Sequence, residues 1–378
     1  MKISVKNATV SVLTLLAVLL IGSGVFAQAP KKLTGNLPGT FTFVPKADVE
    51  QVQKNIENGA TNNDSPVRTV NISNRYNLGV YTLNSKPTGP AKAGAPVNGF
   101  YHTDIAEVYY IVSGNGTWRV GGELENPQVD DPTGRSVKEV RGPGVVGTLK
   151  GYTTQKIATG DVLILPPGVP HSPGEMFETT KIVRIVIDPH KIMPLHSAVG
   201  QTTPATGQPT PAAAKPASKL EGTWTFISKA DIDKVLKEEE TPGTYGDRAV
   251  RTVDLPAINF RVGVYVLHGT KLSDKVPPGG WYHTNIAEVY TFMRGAGSFM
   301  IGGSLDNPTE DGADSYSTKM VRGPSVSGTF KGVTEQKMEA GDWLIAPTGV
   351  PHVPGRVTMA PRDIMRIALD PDKVLPLK

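Results

Sequence analysis

Tyr101-His-Thr-Asp-Ile-Ala-Glu-Val-Tyr109 occurs a second time, one residue changed, as Tyr282-His-Thr-Asn-Ile-Ala-Glu-Val-Tyr290. Further on, Gly160-Asp161 and Pro166-Pro167-Gly168-Val169-Pro170-His171 return as Gly341-Asp342 and Pro347-Thr348-Gly349-Val350-Pro351-His352. From 101 to 282 and from 160 to 341 the offset is the same 181 residues, so the stretch between the two blocks carries no net insertion. A period this long is too great for a solenoid repeat and reads as two homologous domains. Each copy holds two histidines and a glutamate at matching places, which is a metal-ligand set: His102, Glu107 and His171, then His283, Glu288 and His352. The chain has seven histidines, and four of them fall at these places.

Composition sets the limits around that core. The 378 residues suit two units of ordinary domain size, each long enough to bury a core of its own. Gly 41 and Pro 32 fit many turns between short strands rather than long helices. There is no cysteine, which excludes disulfides, thiol catalysis and zinc–cysteine sites. Lys2 and Lys6 precede an apolar run from Val10 to Ile21 and the small residues ending at Ala27. That pattern predicts a secretory signal over 1–27, cleaved after Ala27, and hence a periplasmic or extracellular protein. The apolar run is short for a membrane span, and no later stretch is long enough to cross a bilayer. Removing 1–27 takes away two lysines and leaves 37 basic against 35 acidic residues. Near neutrality argues against nucleic acid as a partner.

The pattern along the chain divides it further. Residues 39–196 form the first domain, 197–219 a Pro/Ala/Thr-rich linker of extended type, and 220–378 the second domain. Each domain opens on an alternating strand followed by a short amphipathic helix, near 40–52 and 223–235. Strand-like runs follow at 67–70 and 78–83, and again at 250–253 and 262–267. The runs 107–112 and 116–120 flank Ser113-Gly-Asn-Gly116 and predict a hairpin. Short strands with turn punctuation predict an all-β sandwich or barrel.

At this point the residues resemble a known family. Glu107-x6-Gly114 and Gly160-x5-Pro166-x-Gly168-x2-His171, repeated as Glu288-x6-Gly295 and Gly341-x5-Pro347-x-Gly349-x2-His352, are similar to the two signature motifs of the cupin superfamily. The resemblance covers both repeat cores and implies a two-domain cupin (a bicupin): two tandem double-stranded β-helix, or jelly-roll, barrels. It further implies one divalent transition metal per barrel. Two imidazoles and a carboxylate with open positions suit iron or manganese best, and the same ligands accept zinc, nickel and copper. The chain departs from the family in one respect: the first histidine of the usual H-x-H pair is Phe100 in one copy and Trp281 in the other.

Other residues carry weaker expectations. Tyr109 and Tyr290, two residues beyond the glutamates, face the same way and are candidates to contact a substrate as catalytic residues. Asp104 would add an oxygen ligand in the first copy, but Asn285 holds its place in the second. Arg141, Arg322, Lys156 and Lys337 would place a cation near an anionic ligand, or else lie on solvated faces. The resemblance implies a metal-dependent oxidoreductase of dioxygenase type, or a lyase, acting on a small organic acid or phenol. The alternative is a non-catalytic barrel that binds a small molecule or serves a structural role. The two barrels are expected to pair within the chain as a pseudo-dimer.

Overall fold

The computed structural model describes residues 40–61, 63–90, 92, 94–197, 219–220, 222–239 and 246–378. The expected signal segment and all but the ends of the linker lie outside these residues.

The first repeat builds two sheets that face each other. One has the order His196–Ser197, Asp64–Ile72, Tyr76–Ser85, Thr180–Asp188, Ala106–Ser113, Val162–Leu165, Thr225–Ile227. The other runs Glu123–Val129, Gly144–Lys150, Asn98–His102, His171–Met176, Asn115–Val120, Thr153–Ala158. The pairings are antiparallel, and most neighbours in each sheet come from distant parts of the chain, as in a double-stranded β-helix. The second repeat has the same strand plan, but Ala287–Ile301 and His352–Asp370 run unbroken and join its strands into one ten-stranded sheet.

The hairpin expected at Ser113–Gly116 is not formed. Ala106–Ser113 pairs with Val162–Leu165 and Thr180–Asp188, whereas Asn115–Val120 pairs with Thr153–Ala158 and His171–Met176. The glycines that read as a hairpin turn instead make a corner at which the chain changes sheets. Gly114 sits at φ +92, and a Cβ there would lie 2.6 Å from the Thr180 Cα. Close approach of another strand, rather than reversal of direction, is what requires glycine.

The central strands of the first repeat's larger sheet, Tyr76–Ser85, Thr180–Asp188, Ala106–Ser113 and Val162–Leu165, are buried on both faces, which explains their nearly continuous apolar runs. Val108, Val162, Ile164 and Ile185 from the first repeat form one core with Val264, Val289, Ile345 and Ile367 from the second. The opposite faces point into the barrels, where Tyr109, Trp118 and Leu163 pack in the first and Tyr290, Phe299 and Leu344 in the second.

The opening strands are exchanged. Thr42–Val44 pairs with Trp343–Ala346 of the second repeat, and Thr225–Ile227 with Val162–Leu165 of the first. Each helix then returns to its own repeat. Helix α1 (Lys46–Glu57) buries Val49, Val52, Gln53 and Ile56 against Asp64–Ile72 and Tyr76–Ser85, a helical face read at i, i+3, i+4 and i+7. Helix α2 (Lys229–Glu239) does the same with Ile232, Val235 and Leu236. The aspartate of each Gly-Asp turn accepts the first backbone N–H of the other repeat's helix: Lys46 N–H to Asp342 and Lys229 N–H to Asp161, both 2.7 Å. A carboxylate at a helix N-terminus satisfies an otherwise unpaired donor and meets the positive end of the dipole.

Candidate metal centre

Three local features bring the ligand set together in each barrel. His102 is the last residue of Asn98–His102, and Glu107 the second of Ala106–Ser113, so the short Thr103–Ile105 link places both on one wall. The Pro-Pro-Gly turn then docks on that wall, with Gly168 N–H donating to the His102 carbonyl at 2.7 Å. Gly168 has φ +80, a conformation glycine adopts without strain. His171 opens the next strand and pairs with Phe100 and Val120. The second copy repeats this, with Gly349 N–H on the His283 carbonyl at 2.9 Å.

All six ligand candidates are at most 3% exposed. In each barrel one atom from each of the three lies within 4.8 Å of the others. His102 Nε2 is 3.1 Å and His171 Nε2 3.7 Å from the Glu107 carboxylate. His283 Nε2 is 3.1 Å and His352 Nε2 2.8 Å from Glu288. Ligands about 2.0–2.2 Å from one metal and at right angles to each other stand about 3 Å apart, so these spacings fit a cis set.

The hydrogen bonds behind the histidines make the same point. His171 Nδ1 meets the Val169 carbonyl at 2.9 Å, and His352 Nδ1 the Val350 carbonyl at 2.8 Å. A carbonyl only accepts, so Nδ1 carries a proton in both rings; in neutral His171 a lone pair on Nε2 then faces the carboxylate, while His352 Nε2 lies within hydrogen-bond distance of Glu288 at 2.8 Å. Burial pushes His171 down from 6.5 to about 4, so the ring is neutral at pH 7. Two acceptors facing each other in a buried pocket repel unless a cation lies between them. The buried Nε2 atoms of His102, His171 and His283 have no hydrogen-bond partner in the protein. The residues therefore fit a divalent metal.

The carboxylates have further partners that sequence reasoning missed. Arg184, on the strand beside Glu107, donates to its Oε1; Arg366 does the same to Glu288. Arg184 Nη2 also reaches Asp64 at 3.0 Å and donates to the Val140 carbonyl at 2.8 Å, while its guanidinium lies 4.7 Å from the Tyr81 ring centre. Arg366 repeats the set with Asp247, Val321 and Tyr265. Val140 and Val321 sit in single wide turns of π type, Ser136–Arg141 and Ser317–Arg322, which aim the carbonyls inward. Burial opposes charge on Arg184, but Asp64 and Glu107 outweigh it and hold the guanidinium charged. Burial likewise raises Glu107, yet His102 and Arg184 hold it well below the usual carboxylate range. Asp64 and Asp247 are pushed up to about 6 by burial, despite their arginines. The available signal was a lone arginine in the same apolar strand of both copies, Val183-Arg184-Ile185 and Met365-Arg366-Ile367.

The remaining expectations sort by position. Tyr109 and Tyr290 face inward as alternation predicts, and each donates its hydroxyl to the glutamate two residues before it. Asp104 stands apart from the ligand cluster, accepting from the Thr103 hydroxyl and lying 3.9 Å from the exposed His190. Lys156 is exposed on its strand. Arg141 lies over the Phe100 ring at 5.1 Å and pairs with Asp130 at 2.5 Å; Arg322 stacks on Trp281 at 3.4 Å. The aromatic rings of Phe100 and Trp281 lie against the candidate histidines. Phe100 is 4.4 Å from the His171 ring and 5.3 Å from His102, and Trp281 is 6.3 Å from His352. Phe100 and Arg141 also line a groove of about 550 Å3 with Asn98, Gln128, Thr148 and Pro173, so the ring lies between the groove and the histidines.

Strand order and corner glycines together are those of two tandem double-stranded β-helix (jelly-roll) barrels. Among solved structures, salicylate 1,2-dioxygenase from Pseudaminobacter salicylatoxidans is similar at 13% identity and a TM-score of 0.47, covering 88% of this chain and 85% of that one. A variant of oxalate decarboxylase from Bacillus subtilis is similar at 16% identity and a TM-score of 0.34, covering 79% of this chain and 69% of that one. No protein-family model and no curated protein matches the sequence.

Proposed function

We propose that each barrel holds one divalent transition metal, on His102, Glu107 and His171 and on His283, Glu288 and His352. In this reading the protein is an exported, metal-dependent oxidoreductase of dioxygenase type, or a lyase, that acts on a small organic acid or phenol. The observation that carries it is the buried cluster of two imidazoles and one carboxylate, with one atom of each within 4.8 Å of the others, in each copy. Iron or manganese suits this donor set, and such a metal supplies Lewis acidity and, for iron, one-electron chemistry. The protein's part is to hold the donors and exclude water. Val169 and Val350 orient one histidine in each set. Arg184 and Tyr109, or Arg366 and Tyr290, hold the carboxylate from two sides. Tyr109 and Tyr290 therefore position a ligand, and contact with a substrate is a further role for the same hydroxyls.

Charge supports an anionic substrate. In each barrel the glutamate is balanced by its arginine, and burial favours the neutral form of one histidine, His171 or His283. A divalent cation leaves the centre positive even with Asp64 or Asp247 ionised. A carboxylate or phenolate entering over Phe100 or Trp281, past Arg141 or Arg322, relieves that charge. Export and the pairing of the two barrels within one chain belong to the same proposal.

The arginine clamp favours a second reading. Glu, Arg, Asp and Tyr already satisfy one another, so each barrel can stand as a non-catalytic binding or structural domain without metal. Metal analysis by mass spectrometry separates the two, on protein purified without chelator or nickel resin, beside a His102→Ala/His283→Ala double variant. One to two equivalents of iron or manganese, lost in the variant, support the metalloenzyme and justify oxygen-uptake assays with phenols and carboxylates. A metal-free wild type that also resists reconstitution leaves the second reading.

A further inference from the structure

The two centres share their ligands and differ behind one of them. His283 Nδ1 lies 2.9 Å from Ser325 Oγ, and Ser325 donates its own proton to the Gly323 carbonyl at 3.0 Å. With that proton committed, Ser325 can only accept from His283. The ring is thereby fixed with its proton on Nδ1 and its Nε2 lone pair toward Glu288. In the first barrel the residue at the same register, paired with His102 across the strands, is Gly144. It has no hydroxyl to offer, and His102 Nδ1 is buried without a hydrogen-bond partner in the protein. The other histidines do not differ in this way, since His171 and His352 both rest on a valine carbonyl.

We propose that Ser325 is a positioning residue that makes the second barrel the tight metal site and leaves the first the weak one. The inference rests on the reading of a metal in each barrel. A partner on the far nitrogen selects the metal-binding tautomer, holds the ring's orientation and raises the basicity of the ligating nitrogen. Loss of such a partner lowers metal affinity about 10–100-fold. The serine cannot simply be moved to the first barrel, because a Cβ at Gly144 would lie 2.6 Å from the Tyr101 carbonyl oxygen. The strand would have to shift before a side chain fitted.

The test is a titration of the metal-free, full-length protein with manganese(II), by calorimetry and by competition against a chelator. Wild type is expected to show two classes of site about 10–100-fold apart. His283→Ala should remove the tight class and His102→Ala the weak one. Ser325→Gly, which installs the residue of the first barrel, should weaken the tight class until it merges with the other, while the thermal midpoint of the metal-free protein barely moves. Ser325→Thr keeps the hydroxyl and should keep the tight class, which separates positioning from loss of fold. Two equal classes in wild type, or a tight class unchanged in Ser325→Gly, overturn the inference alone. Failure of wild type to bind metal overturns it together with the metalloenzyme reading.

Discussion

The two barrels agree closely where a glutamate must be held and diverge where a histidine is held. Arg184 and Arg366 approach Glu107 and Glu288 from the same neighbouring strand, each tied to an aspartate and to a carbonyl of a π-type turn. Tyr109 and Tyr290 complete both clamps. Behind His102 and His283, by contrast, stand a glycine and a serine. A buried carboxylate without a counter-charge is too costly for either barrel to keep, so its partners are common to both. One imidazole nitrogen left without a partner costs far less, and that position is free to differ.

The largest effect is expected from removing the clamp. Arg184→Met and Arg366→Met each leave a buried glutamate uncompensated and should each cost about 4 kcal/mol in urea unfolding of the metal-free protein. Most of that loss should return in Arg184→Met/Glu107→Gln, where neither charge remains. A cost below about 1 kcal/mol in one barrel alone would mean that the clamps, too, have diverged.

Acid acts on the first barrel through His171. Burial takes His171 from 6.5 to about 4 in the folded protein, so the unfolded chain takes up the proton first. Its share of stability is present above pH 6.5 and is lost as pH falls toward 4, by about 3 kcal/mol. His171→Gln in metal-free protein should show a shallower acid limb than wild type between those values. Superimposable limbs would show that the ring is not held neutral in the fold.

The smallest effect tests the exchange of opening strands. Asp161→Ala and Asp342→Ala each remove a cap from the other repeat's helix and should each lower stability by about 1 kcal/mol. Equal losses fit the reciprocal arrangement. No loss for Asp342→Ala with a full loss for Asp161→Ala would show that helix α1 does not depend on the second repeat.

Much of the site is legible in the amino-acid sequence. His102, Glu107 and His171 carry a motif, recur at one offset, and depend on short links and a Pro-Pro-Gly turn that local sequence encodes. The inward aim of Tyr109 follows from alternation alone. The corner at Gly114 escapes such a reading because glycine serves a hairpin turn and a close crossing equally well, and only the Thr180 backbone pressed against it distinguishes them.

The duplication, the all-β barrels, the candidate ligand sets and the aromatic residues Phe100 and Trp281 beside them can be read from the chain alone. These are recorded in periodicity, spacing and residue type, which act over a few neighbours at a time. Only the tertiary structure decided that Arg184 holds Glu107 from 77 positions away and Asp64 from 120, that opening strands change places, and that Ser325 stands behind His283 where Gly144 stands behind His102. Such contacts depend on which strands lie side by side, and strand order in a jelly roll arises from long-range packing that leaves no local pattern in the chain.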